Sequence, residues 1–195
     1  METVLNQKAN KKYSLIYADP PWEYNVRNNT KTKFAGGAMA HYPVMKTADI
    51  CVLPVHKITA DNCALIIWVT FPKLVEGLSV IKAWGFRYVT VAFSWFKTTK
   101  DGKPFFGVGY YSKSNSEIAL LGIKGKMKPV SNFVSQVIIS ERQQHSKKPD
   151  IVRNKIVELF GDLSRVELFA RQRVSGWDTW GNEIPCDIEM GGVLV

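Results

Sequence analysis

The sequence predicts an α/β fold, three layers thick, around a mainly parallel sheet, and three observations predict it. Short runs rich in β-branched and aromatic residues recur at 14–18, 64–70, 88–96, 118–123, 134–139 and 166–170, and such runs read as strands. Several of them show little polar alternation, the mark of strands covered on both faces. Amphipathic stretches lie between them, and strands alternating with helices build a sheet with helices packed on its faces.

Taken in order, the run at 14–18 ends in Asp19-Pro20-Pro21-Trp22, where two prolines stop the strand. After the run at 64–70, residues 72–84 open on Pro72, place Leu74, Leu78, Ile81 and Trp84 on one face, and are followed by Gly85. Residues 149–160 repeat that grammar with Pro149, Asp150 in the first turn, Ile151, Val152, Ile156 and Leu159, and Gly161 as the stop. Two long, polar, Gly-containing segments, 23–42 and 97–115, match neither period, and loops of that length in a compact domain are usually functional. No repeat, low-complexity tract or interior linker interrupts the pattern, so one domain over 1–195 is expected, with a core of about 13–184 and short tails.

Composition narrows the class. The chain has 195 residues, 46% of them hydrophobic, with 6 Trp, 7 Tyr and 10 Phe, enough to bury a core and too aromatic for a disordered chain. The longest apolar stretch, 63–71, falls well short of the roughly 20 residues a spanning helix needs. No apolar leader opens the chain, and the three cysteines form no C-x-x-C pair. A reduced cytoplasmic setting is therefore expected, with no membrane, no disulfide framework and no cysteine-built zinc site. The three histidines show no metal-ligand spacing, so no metal is expected. Lys and Arg exceed Asp and Glu by 9, which suits either a polyanionic partner or a solvated basic surface. The excess is concentrated: Lys97, Lys100, Lys103, Lys113, Lys124, Lys126 and Lys128 face only Asp101 and Glu117.

Three clusters carry candidate chemistry. In open α/β sheets ligands bind beyond the carboxyl ends of the strands, and Asp19 stands at such an end. Its carboxylate and a prolyl carbonyl can accept the two hydrogens of an aromatic amine, while Trp22 offers a flat face to the ring. The bland reading of the same tetrapeptide is a strand exit with a Pro turn and a core Trp. The second cluster, Glu167-Leu168-Phe169-Ala170-Arg171 and then Trp177-Asp178-Thr179-Trp180-Gly181-Asn182-Glu183, places polar side chains suited to ribose hydroxyls after a strand. The third, Arg142-Gln143-Gln144-His145-Ser146-Lys147-Lys148-Pro149-Asp150, puts lysines beside a helix N-terminus, a place for a carboxylate or phosphate. Neither a G-x-G-x-x-G nor a Walker motif is present.

Taken together, these clusters resemble the Asp-Pro-Pro-Trp family of S-adenosylmethionine-dependent adenine-amine methyltransferases, the MT-A70 or METTL-type enzymes. The resemblance spans about 13–184. It includes Ala18-Asp19-Pro20-Pro21-Trp22, Ile67-Trp68-Val69-Thr70, Trp84-Gly85-Phe86, Asn115-x-Glu117, Leu121-Gly122-Ile123-Lys124-Gly125, His145-Ser146-x-Lys148-Pro149-Asp150, and the two C-terminal motifs just quoted. Its phrasing is nearest to short bacterial and phage DNA members. It implies a Rossmann-like methyltransferase fold with permuted motif order, the amine-handling motif first and the cofactor strand near the C-terminus.

Carried over residue by residue, the resemblance implies that Asp19, Pro20, Pro21 and Trp22 hold the target amine, with Asp19 also near the cofactor. Lys148 would meet the cofactor's carboxylate, and Arg171, Asn182 and Glu183 its ribose. Trp22, Tyr24, Asn115 and Glu117 would line the substrate side. Lys97, Lys100, Lys103 and Lys113 would meet phosphates, with 23–42 and 97–115 as gates around an extruded base. The chain departs from the family at Arg173-Val174, where members often carry His-Asn. DNA is the favoured target, with a short site or low selectivity, and a homodimer or a partner subunit is among the expected assemblies. The other readings are the same chemistry on RNA, an inactive nucleic-acid-binding subunit and, third, cytosine-amine methylation.

Overall fold

The computed structural model describes residues 11–24, 44–109, 111–143 and 147–190. Its strands are β1 (Tyr13–Ala18), β2 (Thr59–Val69), β3 (Arg87–Thr98), β4 (Ser116–Lys124), β5 (Val137–Glu141), β6 (Arg165–Leu168) and β7 (Asp178–Trp180). The helices are α1 (Thr47–Cys51), α2 (Leu74–Ala83) and α3 (Ile151–Phe160). The strands form one sheet in the order β5-β3-β4-β2-β1-β6-β7. Pairing is parallel everywhere except on the two sides of β4, which runs antiparallel to both β2 and β3.

The central strands are apolar at nearly every position because both faces are covered. Side chains of a strand alternate between faces, and the core divides accordingly. Ile16, Ala18, Leu65 and Ile67 pack with Ile50 of α1 and with Val80 and Ile81 of α2. Leu15, Tyr17, Ile66 and Trp68 pack with Val152, Ile156 and Phe160 of α3 on the opposite face. This is the expected three-layer α/β architecture.

Several boundaries differ from the sequence expectation. β2 starts at Thr59 rather than 64, because Thr59 pairs with Tyr13 of neighbouring β1 ahead of a break in register. β5 begins at Val137 rather than 134. β6 stops at Leu168 because Phe169 takes a left-handed backbone, φ 61°. The short α1 and β7 lie where the sequence shows no clear period.

The topology sets the position of the site. β1, β2, β3 and β6 all end at one edge of the sheet, and antiparallel β4 begins there. Asp19, Thr70, Lys97, Arg171 and Glu117 are therefore gathered at one edge from across the chain.

Candidate active site

Asp19 follows β1 directly. Its backbone is held by the turn behind it: the Trp22 N–H donates to the Pro20 carbonyl at 2.9 Å, and the Met45 N–H donates to the Pro21 carbonyl at 2.7 Å. A carbonyl has two lone pairs, so each keeps one for another donor. Trp22 is 5% exposed, and its indole N–H donates to the Trp68 carbonyl at 3.0 Å. It is thus a pillar joining the β1 and β2 ends, with only part of its ring on the cleft. Tyr24 is tied to the end of β2 by a 2.6 Å hydrogen bond between its hydroxyl and that of Thr70.

These residues line a cleft of about 130 Å³ with Trp68, Val69, Glu117, Lys148 and Arg171. Within it four charges alternate. The Lys148 Nζ lies 2.9 Å from both oxygens of Asp19 and 3.3 Å from Glu117 Oε2. Glu117 in turn accepts from Lys97 through its other oxygen. The Lys148 ammonium also stands 5.7 Å from the centre of the Trp68 ring, and that of Lys97 stands 5.0 Å from Trp95, distances at which ring quadrupoles attract a cation.

The electrostatics follow from this order. Burial pushes the Asp19 carboxyl up, and nearby Glu117 adds to that push against the pull of Lys148 and Arg171. Burial also works to raise Glu117, but it has lysines on both sides, and they hold it below the usual carboxylate range. Burial alone would discharge Lys148; two carboxylates outweigh it and raise its pKa instead. Asp19 is the end of the chain, with one lysine shared, and is the readier of the two acids to take a proton.

Behind the site, the N-terminus of α3 is anchored to β6. Arg153 donates from Nε and Nη2 to the two oxygens of Glu167, at 2.7 and 2.8 Å, and both side chains are 8% exposed. Arg153 also reaches Asp150 at 3.0 Å, and Asp150 accepts from Gln172 at 2.9 Å. Since Lys148 directly precedes this first turn, the brace fixes the chain from which it reaches Asp19. Arg153 lies 5.6 Å from the Tyr17 ring, and the Tyr17 hydroxyl accepts from the Trp68 indole at 2.7 Å. The sequence shows Arg153 and Glu167 only as a helix residue and a strand residue; their pairing was missed because nothing in the spacing signals it.

At the end of β6, Phe169 adopts the left-handed conformation, which is uncommon for a bulky side chain. Its ring is held 5.5 Å from that of Trp180 in an edge-to-face contact, and the Ala170 N–H donates to the Trp180 carbonyl. The kink redirects the chain so that Arg171 lines the cleft. Arg171 lies 3.5 Å from Glu183, and Asn182 and Glu183 are exposed just past β7.

The structure brings Asp19, Pro20, Pro21, Trp22, Tyr24, Glu117, Lys148 and Arg171 to one cleft. Asn115 sits half-buried at the foot of the β3–β4 connection. Lys100, Lys103 and Lys113 are exposed on that connection, whereas Lys97 is drawn inward, 13% exposed, because a buried carboxylate compensates its charge. Lys97 braces the cleft wall through its pairing with Glu117. His145 and most of 23–42 lie outside the described residues. Among the described residues no cluster of His, Cys, Asp and Glu could hold a metal ion, and no helix is long and apolar enough to cross a membrane.

Comparison with known proteins converges on one family. The MT-A70 family profile matches residues 13–183. The chain is 36% identical over 200 residues to the type II methyltransferase M.MunI of Mycoplasma sp, covering 95% of this chain and 83% of that one. It is 28% identical to the N6-methyladenosine RNA methyltransferase MTA1 of Pyricularia oryzae, over 94% of this chain and 50% of that protein. It is 26% identical to the human N(6)-adenosine-methyltransferase catalytic subunit METTL3, over 89% of this chain but 28% of that protein. The chain belongs to the MT-A70 family of S-adenosylmethionine-dependent adenine-amine methyltransferases.

Proposed function

We propose that this chain methylates the exocyclic amine of adenine in DNA, with Asp19, Pro20, Pro21 and Trp22 holding the amine. The observation that carries the reading is Asp19 itself, a carboxylate at the end of a central strand, opening on a cleft it shares with Lys148, Glu117 and Arg171. The donor set at the strand ends fits the cofactor. Lys148 and Arg171 offer positive charge to a carboxylate, Asp19 offers negative charge beside a sulfonium, and Asn182 and Glu183 suit ribose hydroxyls. S-adenosylmethionine supplies a methyl group already activated on sulfur, so no covalent nucleophile is required of the protein.

The chain's own residues do the positioning. Lys148 would hold the cofactor's carboxylate, which would leave the oxygens of Asp19, now 2.9 Å from its ammonium, to accept from an amine. The second lone pair of the Pro20 carbonyl, in the next residue along the turn, is the other acceptor. Two acceptors on the amine hydrogens keep the nitrogen lone pair out of the ring and directed at an electrophile. Asp19, with its proton affinity raised by burial, is the nearest base for the proton the nitrogen sheds. Glu117, itself held ionised by Lys97, keeps Lys148 charged and on the cleft wall.

DNA is favoured as the target because the chain spans 83% of a type II methyltransferase at 36% identity, the compass of the short DNA members that its motifs resemble. The RNA-named MTA1 is matched over half its length. The reading includes a short or loosely selective site, with further recognition from a second copy or a partner subunit. Labelled methyl transfer to a DNA duplex, to its single strand and to RNA of the same sequence, with the product base identified by mass, tests the reading. N6-methyladenine in DNA is expected. Label in RNA alone moves the target, label on cytosine changes the base, and cofactor binding without transfer makes the chain an inactive binding subunit.

A further inference from the structure

Between β3 and β4 the chain makes an excursion at the same sheet edge as the cleft. Its root is closed by backbone hydrogen bonds: the Lys97 N–H donates to Asn115 at 2.8 Å, Phe105 to Lys97 at 2.9 Å, and Gly107 to Ser114 at 2.8 Å. The Arg142 guanidinium covers Phe105, 4.8 Å from its ring centre. From Phe106 onward apolar side chains turn outward. Phe106 is 67% exposed, Val108 92% and Tyr111 98%.

Single exposed apolar residues are ordinary, but three exposed within six residues of one excursion point to an interaction surface. The turn is also built to present them. A Cβ on Gly107 would stand 2.5 Å from the Ser114 carbonyl oxygen, and one on Gly109 would stand 1.8 Å from that of Ser112. The two arms pack backbone to backbone at these glycines, and Val108 between them faces solvent. Lys100, Lys103 and Lys113 are exposed on the same excursion, with Asp101 the one acid among residues 98–115. An excursion carrying exposed apolar side chains together with exposed lysines is complementary to stacked bases between phosphates.

We propose that the tip around Phe106, Val108 and Tyr111 is a stacking wedge for duplex DNA. It enters the duplex beside the target adenine and fills the room the extruded base leaves, while Lys100, Lys103 and Lys113 contact flanking phosphates. The proposal rests on the adenine-methylation reading and deepens it, naming base-paired duplex as the substrate this excursion serves. Extruding a paired base costs a few kcal/mol of stacking and pairing. Apolar side chains inserted between base steps, with phosphate contacts alongside, offset that cost.

The test uses the full chain carrying Phe106→Ser and Val108→Ser, both exposed, so that folding is undisturbed. Three substrates share one target strand: the matched duplex, a duplex with an abasic site opposite the target, and the single strand. Methyl transfer on the matched duplex is expected to fall by about tenfold or more, with the abasic duplex and single strand near wild type, because their target is already unpaired. In parallel, 2-aminopurine at the target position of the matched duplex should brighten with wild type and not with the variant. Equal losses on all three substrates, or no loss on the matched duplex, would overturn the wedge. If wild type methylates none of the three, the adenine reading fails, and the fluorescence alone decides: no difference between wild type and variant overturns the wedge.

Discussion

Glu167→Gln is expected to be among the most destabilising single changes at the site, although Glu167 does not line the cleft. The substitution keeps the shape and removes the charge. It leaves Arg153, 8% exposed and previously held by two charge-assisted hydrogen bonds of 2.7 and 2.8 Å, facing an amide that can accept only one of them. Breaking a buried ion pair from one side costs about 3–5 kcal/mol. The link from Arg153 to Asp150 survives, so the lower end, about 3 kcal/mol, is expected. For a domain of this size each kcal/mol lowers Tm by about 2–4 °C, which gives a drop of about 6–12 °C. Urea unfolding followed by circular dichroism, with a parallel thermal melt, measures it. Removing both charges together, as Arg153→Met with Glu167→Leu, strands neither partner and should recover most of the loss. Cofactor affinity should stay weakened in the double variant, because Asp150 and the turn carrying Lys148 have lost the link to β6 that ran through Arg153. A Glu167→Gln protein within 1 kcal/mol of wild type, or a double variant no more stable than the single one, would refute the reasoning.

Four further outcomes are expected. Glu117 is held below its unfolded value of about 4.3, so its contribution to stability is complete above that pH and fades as pH falls through the folded value. The stability gap between wild type and Glu117→Gln should accordingly be widest near neutrality and close on acidification; a gap that widens in acid would contradict this. Asp19 must be ionised to accept an amine hydrogen, and burial raises its carboxyl, so kcat/KM should fall on acidification at a pH above the ordinary Asp value of about 3.9. Trp22→Phe leaves the buried Trp68 carbonyl without its 3.0 Å donor and should cost about 1–3 kcal/mol in unfolding free energy. Lys103→Ala should reduce the salt slope of DNA binding by about one, whereas Lys97→Ala, whose partner is Glu117, should act mainly on turnover and leave that slope unchanged.

What the sequence made legible were the elements whose periodicity is long and whose ends are punctuated. The apolar runs of β1, β2 and β4 and the Pro-to-Gly frames of α2 and α3 are such cases. Short elements escaped, since the three residues of β7 and the five of α1 hold less than two periods of pattern. The reversal of β4 was also hidden, because an apolar run reads the same in either direction. Its one signal was the lack of a helical crossover between β3 and β4, which parallel neighbours need. At the site, the motif residues at strand ends could be named in advance, because a strand end is a place and Asp19 and Arg171 stand at one. The pairings could not. Lys148 meets Asp19 across 129 positions, and Arg153 meets Glu167 from a helix to a strand. Lys97 shows the same limit: its charge suggested a phosphate, and only the fold reveals a buried Glu117 beside it.

The account turns on whether the Asp19 carboxylate orients an adenine amine, and one comparison tests that most directly. Single-turnover methyl transfer to a DNA duplex is measured for wild type and Asp19→Asn, with S-adenosylhomocysteine affinity and Tm recorded for both. The account predicts N6-methyladenine from wild type and a transfer rate at least about 10³-fold lower in the variant, with the fold intact and the cofactor product still bound. An Asp19→Asn protein that transfers methyl within about tenfold of wild type would contradict it.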